Sequence, residues 1–130
     1  MENISRMFAE AAAFIPRTDV FFITFGTAYV YKLKSTGEVV ANCHKFPPDT
    51  FIRERLTVEA IVKEWSGVIN TISALNPAAR FIFTVSPIRH WKDGAHENQI
   101  SKSILHLAID ELQEMFTSAL TYFPAYEILL

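Results

Sequence analysis

Cysteine is almost missing from this sequence. Cys43 is the only one in 130 residues, so no disulfide can close within the chain. That usage fits a reducing compartment. Glycine is also scarce, with four residues. No G-x-G-x-x-G, no G-x-x-x-x-G-K-[ST] and no G-x-S-x-G is present, which excludes nucleotide cradles and nucleophile elbows of those types. There is no basic excess. Twelve Lys and Arg face fourteen Asp and Glu, for a net charge of −2. The positive residues are scattered and form no stripe, so neither nucleic acid nor an anionic membrane is a predicted partner. No apolar run approaches the roughly 18 residues of a membrane span. The N-terminus carries Glu2 and Glu10 and lacks the basic-then-apolar order of a secretory signal. Together these absences predict a cytoplasmic chain.

Apolar surface is abundant. Half the residues are hydrophobic, 13% are aromatic, and eleven are Phe. A chain of this length makes one domain. So rich a composition leaves room for a partly exposed apolar face, and a strand or helix missing from the domain would leave apolar surface through which the chain is expected to self-associate, by an exposed sheet edge or face.

Read in order, Asn3 caps a first helix whose stripe is Ile4, Met7, Phe8 and Ala11; Pro16, Thr18 and Asp19 end it. V-F-F-I-T-F, Val20 to Phe25, is continuously apolar and β-branched or aromatic, as expected of a strand covered on both faces. Gly26 and Thr27 close it. Tyr29, Tyr31 and Leu33 alternate with other residues. Ser35, Thr36 and Gly37 make a turn, and Glu38 to Ala41 returns as an inserted β-hairpin. Pro47 and Pro48 open an irregular stretch that reaches Leu56. Thr57 caps a second helix whose apolar stripe runs from Val58 through Trp65 to Leu75, and Asn76 and Pro77 end it. Phe81 to Val85 reads as a buried strand. The spacing predicts a third helix over residues 98–119 that buries Ile100, Ile104, Leu107, Ala108, Leu112, Met115 and Phe116. Tyr126 to Leu130 reads as a last strand. Strands alternating with helices predict an α/β fold with three layers: a mostly parallel sheet flanked by helices.

In such a fold the site lies at the carboxyl ends of the strands. That edge collects Gly26 and Thr27, the hairpin return Asn42–Lys45, and the loop from Ser86 to His96. Arg89 can clamp a carboxylate or phosphate. His90 can act as acid or base near neutral pH. Asn42 offers an amide donor to an oxyanion. His44 shares its face, and Lys45 adds a cation. Cys43 and His44 point to opposite faces of an extended strand, which argues against a thiolate pair. His44, His90, His96 and Asp93 match no compact metal-ligand spacing, so no metal and no cofactor is predicted. Tyr29, Tyr31 and Phe51 read as packing residues.

Three motifs carry a resemblance. They are T-F-G-T-A-Y-V-Y (Thr24–Tyr31), V-V-A-N-C-H-K-F-P (Val39–Pro47) and T-V-S-P-I-R-H-W-K-D-G-A-H-E-N-Q (Thr84–Gln99), and the likeness continues through Y-F-P-A-Y-E-I (Tyr122–Ile128). On these the chain resembles the bacterial GSCFA domain family. The resemblance implies an SGNH-hydrolase-like, flavodoxin-type α/β domain with acyl-ester hydrolase activity. It places Gly26 where SGNH enzymes carry an oxyanion-binding block, G-x-N-D, whose Asn is not found here. The G-S-C-F-A segment with the nucleophilic serine is absent, as is the C-terminal Asp and His loop. The chain therefore reads as the central fragment of a GSCFA domain, inactive by itself. Ser86 and His90 are its remaining catalytic candidates, with Gly26, Thr27, Asn42, His44, Lys45, Arg89 and His96 around the substrate. The substrate is a small ester or carbohydrate-type molecule. The rival reading is a non-catalytic binding module for an anionic or carbohydrate ligand.

Overall fold

A computed structural model describes residues 9, 10, 12–40 and 50–129. The expected first-helix stripe of Ile4, Met7, Phe8 and Ala11, and the motif residues Asn42, Cys43, His44 and Lys45, lie outside them. The chain is α/β, with a parallel three-stranded sheet flanked by helices and a separate antiparallel sheet. This is compatible with the three-layer arrangement the sequence predicts.

The parallel sheet has the order β1 (Val20–Phe25), β5 (Arg80–Val85), β6 (Leu120–Tyr122). β1 and β5 pair in register from Val20 with Arg80 to Phe25 with Val85. The antiparallel sheet has the order β3 (Val39–Val40), β2 (Tyr29–Leu33), β4 (Phe51–Arg55). The long helices are α1 (Val58–Leu75) and α2 (Ala95–Met115), and a short helix α3 covers Ala125–Leu129.

Local chemistry explains the boundaries. The Thr57 hydroxyl accepts from the Ala60 amide at 3.1 Å and caps α1, the role Thr is suited to. Asn76 ends the helix and stays buried. Its amide group donates to the carbonyls of Ile15 and Thr18, tying the segment before β1 to the end of α1. The hairpin turn uses Gly37 at φ 75°, and Gly94, at φ 83°, precedes α2. Side chains avoid that left-handed region, so glycine is required at both positions.

Three expectations are corrected. The stretch before Leu56 is not irregular. Phe51–Arg55 is a strand, because β2 offers it a free edge and pairs with it along its whole length. The last strand is not Tyr126–Leu130 but Leu120–Tyr122. Phe123 N still donates to Phe83 O at 2.8 Å, Pro124 has no N–H to continue the ladder, and Ala125–Leu129 turns helical instead. The third helix starts earlier and ends at Met115, and its buried stripe is rotated. Ser101, Lys102, Leu105, Ala108, Ile109 and Leu112 face inward, while Leu107 and Met115 are exposed.

The core lies on one side of the parallel sheet. Phe21, Ile23, Phe25, Phe81, Phe83, Val85 and Leu120 face Ile61 and Ile69 of α1 and Leu105, Ala108, Ile109 and Leu112 of α2. Trp65 meets Phe25 and Phe83, each at 5.4 Å between ring centroids. Both connections cross the sheet in one direction, from β1 to β5 to β6. Right-handed crossovers in one direction put both helices on the same face. The other face carries Val20, Phe22 and Thr24, so β1 is covered on one face only among the described residues. Phe22 is 75% exposed.

α3 folds back onto α2 through polar contacts. Tyr122 Oη donates to Glu127 at 2.5 Å, and the His106 Nε2 lies 3.1 Å from the same carboxylate oxygen. Burial first, and then the bond to Glu127 and its charge, push the Tyr122 phenol above its usual range. Desolvation by itself would raise the Glu127 carboxyl, but the bonds from Tyr122 and His106 hold it below the usual carboxylate range. A carboxylate held low stabilises the fold above its unfolded value and loses that contribution as pH falls through the folded one.

Two substitutions test the one-sided core. Phe83→Ala should cost about 3–5 kcal/mol in urea unfolding, the loss expected of a fully buried Phe, whereas Phe22→Ala should change stability by less than about 0.5 kcal/mol. Glu127 supplies a further test. Stability of the wild type should decline as pH falls below 4.5, and more steeply than that of Tyr122→Phe.

Candidate functional site

The site is built where β1 and β5 stop. Their ladder continues one residue past the strand ends, since Ser86 N donates to Phe25 O at 2.9 Å. The next two carbonyls, Gly26 and Ser86, have no strand partner among the described residues. Lys102 of α2 reaches both, with Nζ at 2.6 Å from Gly26 O and 2.7 Å from Ser86 O. Lys102 is 0% exposed. Lysine is almost never so buried without a counter-charge, and no carboxylate among the described residues pairs with it. Burial pushes its ammonium below the ordinary lysine value. The two carbonyl oxygens take the place of a counter-charge for this side chain.

The preceding turn of α2 completes the brace. Ser101 Oγ accepts from Ala28 N at 2.8 Å and shares a hydrogen bond with Thr27 Oγ1 at 3.2 Å. Thr27 Oγ1 also accepts from Tyr29 N. Asn98, buried, accepts from His90 N at 2.8 Å through Oδ1. So Asn98, Ser101 and Lys102, on one stripe of one helix, fix the strand-end turn at Gly26–Ala28 and both ends of the loop from Ser86 to His90.

Of the predicted site residues, Gly26, Thr27, Ser86 and His90 are gathered at this edge. Ser86 Oγ accepts from Ile88 N at 3.2 Å, which makes a tight turn within its own loop. It makes no hydrogen bond with His90, whose ring has no hydrogen-bond partner among the described residues. Gly26 has no left-handed φ, and no described residue lies within 4 Å of where a Cβ would sit. Neither a left-handed φ nor crowding by described residues requires this glycine. Arg89 is exposed, with its guanidinium 5.6 Å from the Trp91 ring centroid. His96 is exposed in the first turn of α2. Arg89 and His96 therefore flank the edge, while Asn42, His44 and Lys45 fall outside the described residues.

Above the edge the antiparallel sheet is held down by charge. Arg53 makes a bidentate ion pair with Asp93, whose side chain is 3% exposed. The same guanidinium lies 3.9 Å from the Tyr29 ring centroid. Arg55 and Tyr29 Oη both donate to Glu97. Lys92 donates to Tyr31 Oη at 3.2 Å. Tyr29, Tyr31 and Phe51 thus serve packing: Tyr31 meets the Phe51 ring edge-on at 6.5 Å. Among the described residues, no three of His, Cys, Asp and Glu come together as a metal site.

Sequence reasoning missed Asn98, Ser101 and Lys102. The signal was present: positions 98, 101, 102, 105, 108, 109 and 112 keep one helical stripe. Its first turns are polar, and an expectation of apolar burial passed over them.

The chain belongs to the GSCFA family, whose model matches residues 1–130. No curated protein and no solved structure matches it. No described helix is long and apolar enough to cross a membrane.

Two variants test the brace. Asn98→Ala leaves the His90 amide without its acceptor and should cost about 1–3 kcal/mol in thermal or urea unfolding. For Lys102, the unfolded chain binds the proton up to pH 10.5, whereas the folded chain releases it earlier. Stability therefore rises with pH across that window. The stability difference, wild type minus Lys102→Met, should grow as pH approaches 10.5; a flat difference would show that the buried amine is not titrating early.

Proposed function

We propose that this chain supplies the substrate-holding edge of an SGNH-like acyl-ester hydrolase site, at the carboxyl ends of β1 and β5. Family membership supports the reading, as does one observation above all. Three residues of a single helix brace the Gly26–Thr27 turn and the Ser86–His90 loop together. In this reading the backbone amides of Gly26 and Thr27 are the donors assigned to a developing oxyanion. Arg89, His96 and the hairpin residues Asn42, His44 and Lys45 are assigned to the substrate's polar groups.

By itself the chain holds an ester without turning it over. Acyl transfer from a serine needs a base in hydrogen-bond reach of the hydroxyl. Ser86 Oγ is engaged by Ile88 N and not by His90. The rival reading is a binding module for an anionic or carbohydrate ligand. Arg89 favours it, since this exposed cation stacked on Trp91 has no carboxylate partner among the described residues.

Hydrolysis of short-chain p-nitrophenyl and acetyl-sugar esters separates these readings. The expected result is turnover no faster than buffer, with acetate and short-chain esters shifting the amide resonances of Gly26, Thr27 and His90. Turnover abolished by Ser86→Ala and by His90→Ala would show that the pair forms and that the chain is a hydrolase itself. Shifts caused by sugars or inorganic anions and not by esters would favour the binding module.

A further inference from the structure

An unguarded sheet edge is a template for another strand, and natural edge strands are kept short or charged to prevent such pairing. Among the described residues, the strands at sheet edges are β1, β6, β3 and β4. β3 has two residues and β6 has three. β4 carries Arg53, Glu54 and Arg55. β1 has neither protection. It runs for six residues, V-F-F-I-T-F, without a charge or a proline.

The hydrogen-bond ladder shows which backbone groups of β1 are free. Arg80 N donates to Asp19 O at 3.0 Å, and Ser86 N donates to Phe25 O at 2.9 Å. With Val20 opposite Arg80 in a parallel ladder, these bonds turn the N–H and C=O groups of Phe21, Ile23 and Phe25 towards β5. Those of Val20, Phe22 and Thr24 turn outward and have no partner among the described residues. The side chains of the same three residues stand on the uncovered face of the sheet, where Phe22 is 75% exposed.

We propose that the β1 edge pairs with the β1 edge of a second copy of this chain, antiparallel, about a two-fold axis at Phe22. In that register Phe22 faces its own counterpart, and Val20 of one copy faces Thr24 of the other. Each outward residue exchanges both of its backbone bonds with the residue opposite. Every free N–H on the edge therefore meets a free C=O. The two Phe22 rings meet on the open face, as cross-strand aromatic pairs do. Asp19 falls opposite Phe25 and not opposite another Asp19, so like charges do not face each other across the seam. A two-fold contact uses the same patch on both copies and closes at a dimer. The two Gly26–Thr27 turns lie at opposite ends of the joined strands, so the pairing is independent of the ester reading.

Sedimentation equilibrium and amide hydrogen exchange, run on the same samples across micromolar concentrations, test the dimer. The expected result is a monomer–dimer equilibrium in which the Phe22 and Thr24 amides gain protection as the dimer forms. The Phe21, Ile23 and Phe25 amides should be protected in monomer and dimer alike. Phe22→Lys sets two ammonium groups opposite each other at the axis and should raise the dissociation constant about tenfold or more. Ile52→Lys, at an exposed position of β4, should leave it unchanged. Unfolding of Phe22 variants reports on the monomer when run below that constant, because association adds to apparent stability.

A chain that stays monomeric through this range overturns the proposal. A dimer without protection at Phe22 and Thr24 also overturns it, since it forms through another surface. Protection of those two amides in the dilute monomer means that another part of the same chain covers the edge, with the same consequence. A folded Phe22→Lys that dimerises as tightly as the wild type is equally decisive against it. If Phe22→Lys does not fold, Thr24→Lys, exposed on the same face, decides in its place.

Discussion

Lys102 carries the constraint on which the site depends. Two parallel strands that stop together leave two adjacent carbonyls, Gly26 and Ser86, pointing into a buried corner without partners. Buried carbonyls need donors. A side chain that reaches both from one helix position satisfies the corner and also fixes the helix against the strand ends. Once Lys102 is placed, helical spacing puts Ser101 against the Gly26–Ala28 turn and Asn98 under the His90 amide. The loop that carries Ser86, Arg89 and His90 then has little freedom at either end.

The arrangement has a cost that the core must offset. Burying an amine stripped of water disfavours its charged form, and burial moves the Lys102 ammonium in that direction. The offset comes from the apolar face beside it, where Phe81, Phe83, Val85, Leu105, Ala108 and Leu112 are almost wholly buried. A polar brace at one end of an otherwise dry helix–sheet interface is a common way to fix a site on rigid elements. The antiparallel sheet adds a second constraint from outside. Its Arg53 and Arg55 reach down to Asp93 and Glu97, which hold the start of α2 from above.

Among the described residues, the braced edge does not bring Ser86 and His90 into a hydrogen bond. Ser86 uses its hydroxyl to stabilise its own turn. No described residue beyond its chain neighbours lies within 4 Å of where a Cβ on Gly26 would sit. What distinguishes this edge is its brace, in which three side chains of one helix tie a strand-end turn to a loop.

The sequence by itself determined the local elements. The apolar run Val20–Phe25 made a strand, Thr57 capped a helix, and Gly37 turned a hairpin, because each depends on contacts within a few residues. It also determined the edge on which Gly26, Thr27, Ser86 and His90 gather, since strand–helix alternation places every carboxyl end together. Tertiary structure decided the rest. Phe51–Arg55 became a strand only because β2 offered it an edge. Tyr126–Leu130 was apolar enough for a strand, but Leu120–Tyr122 took the place beside β5. Nothing in the sequence around Lys102 marks it as buried, and only two strand-end carbonyls within its reach made it the buried centre of the site. Periodicity reports which face a residue occupies; it carries no information about which unpaired group, tens of residues away in the chain, waits opposite that face.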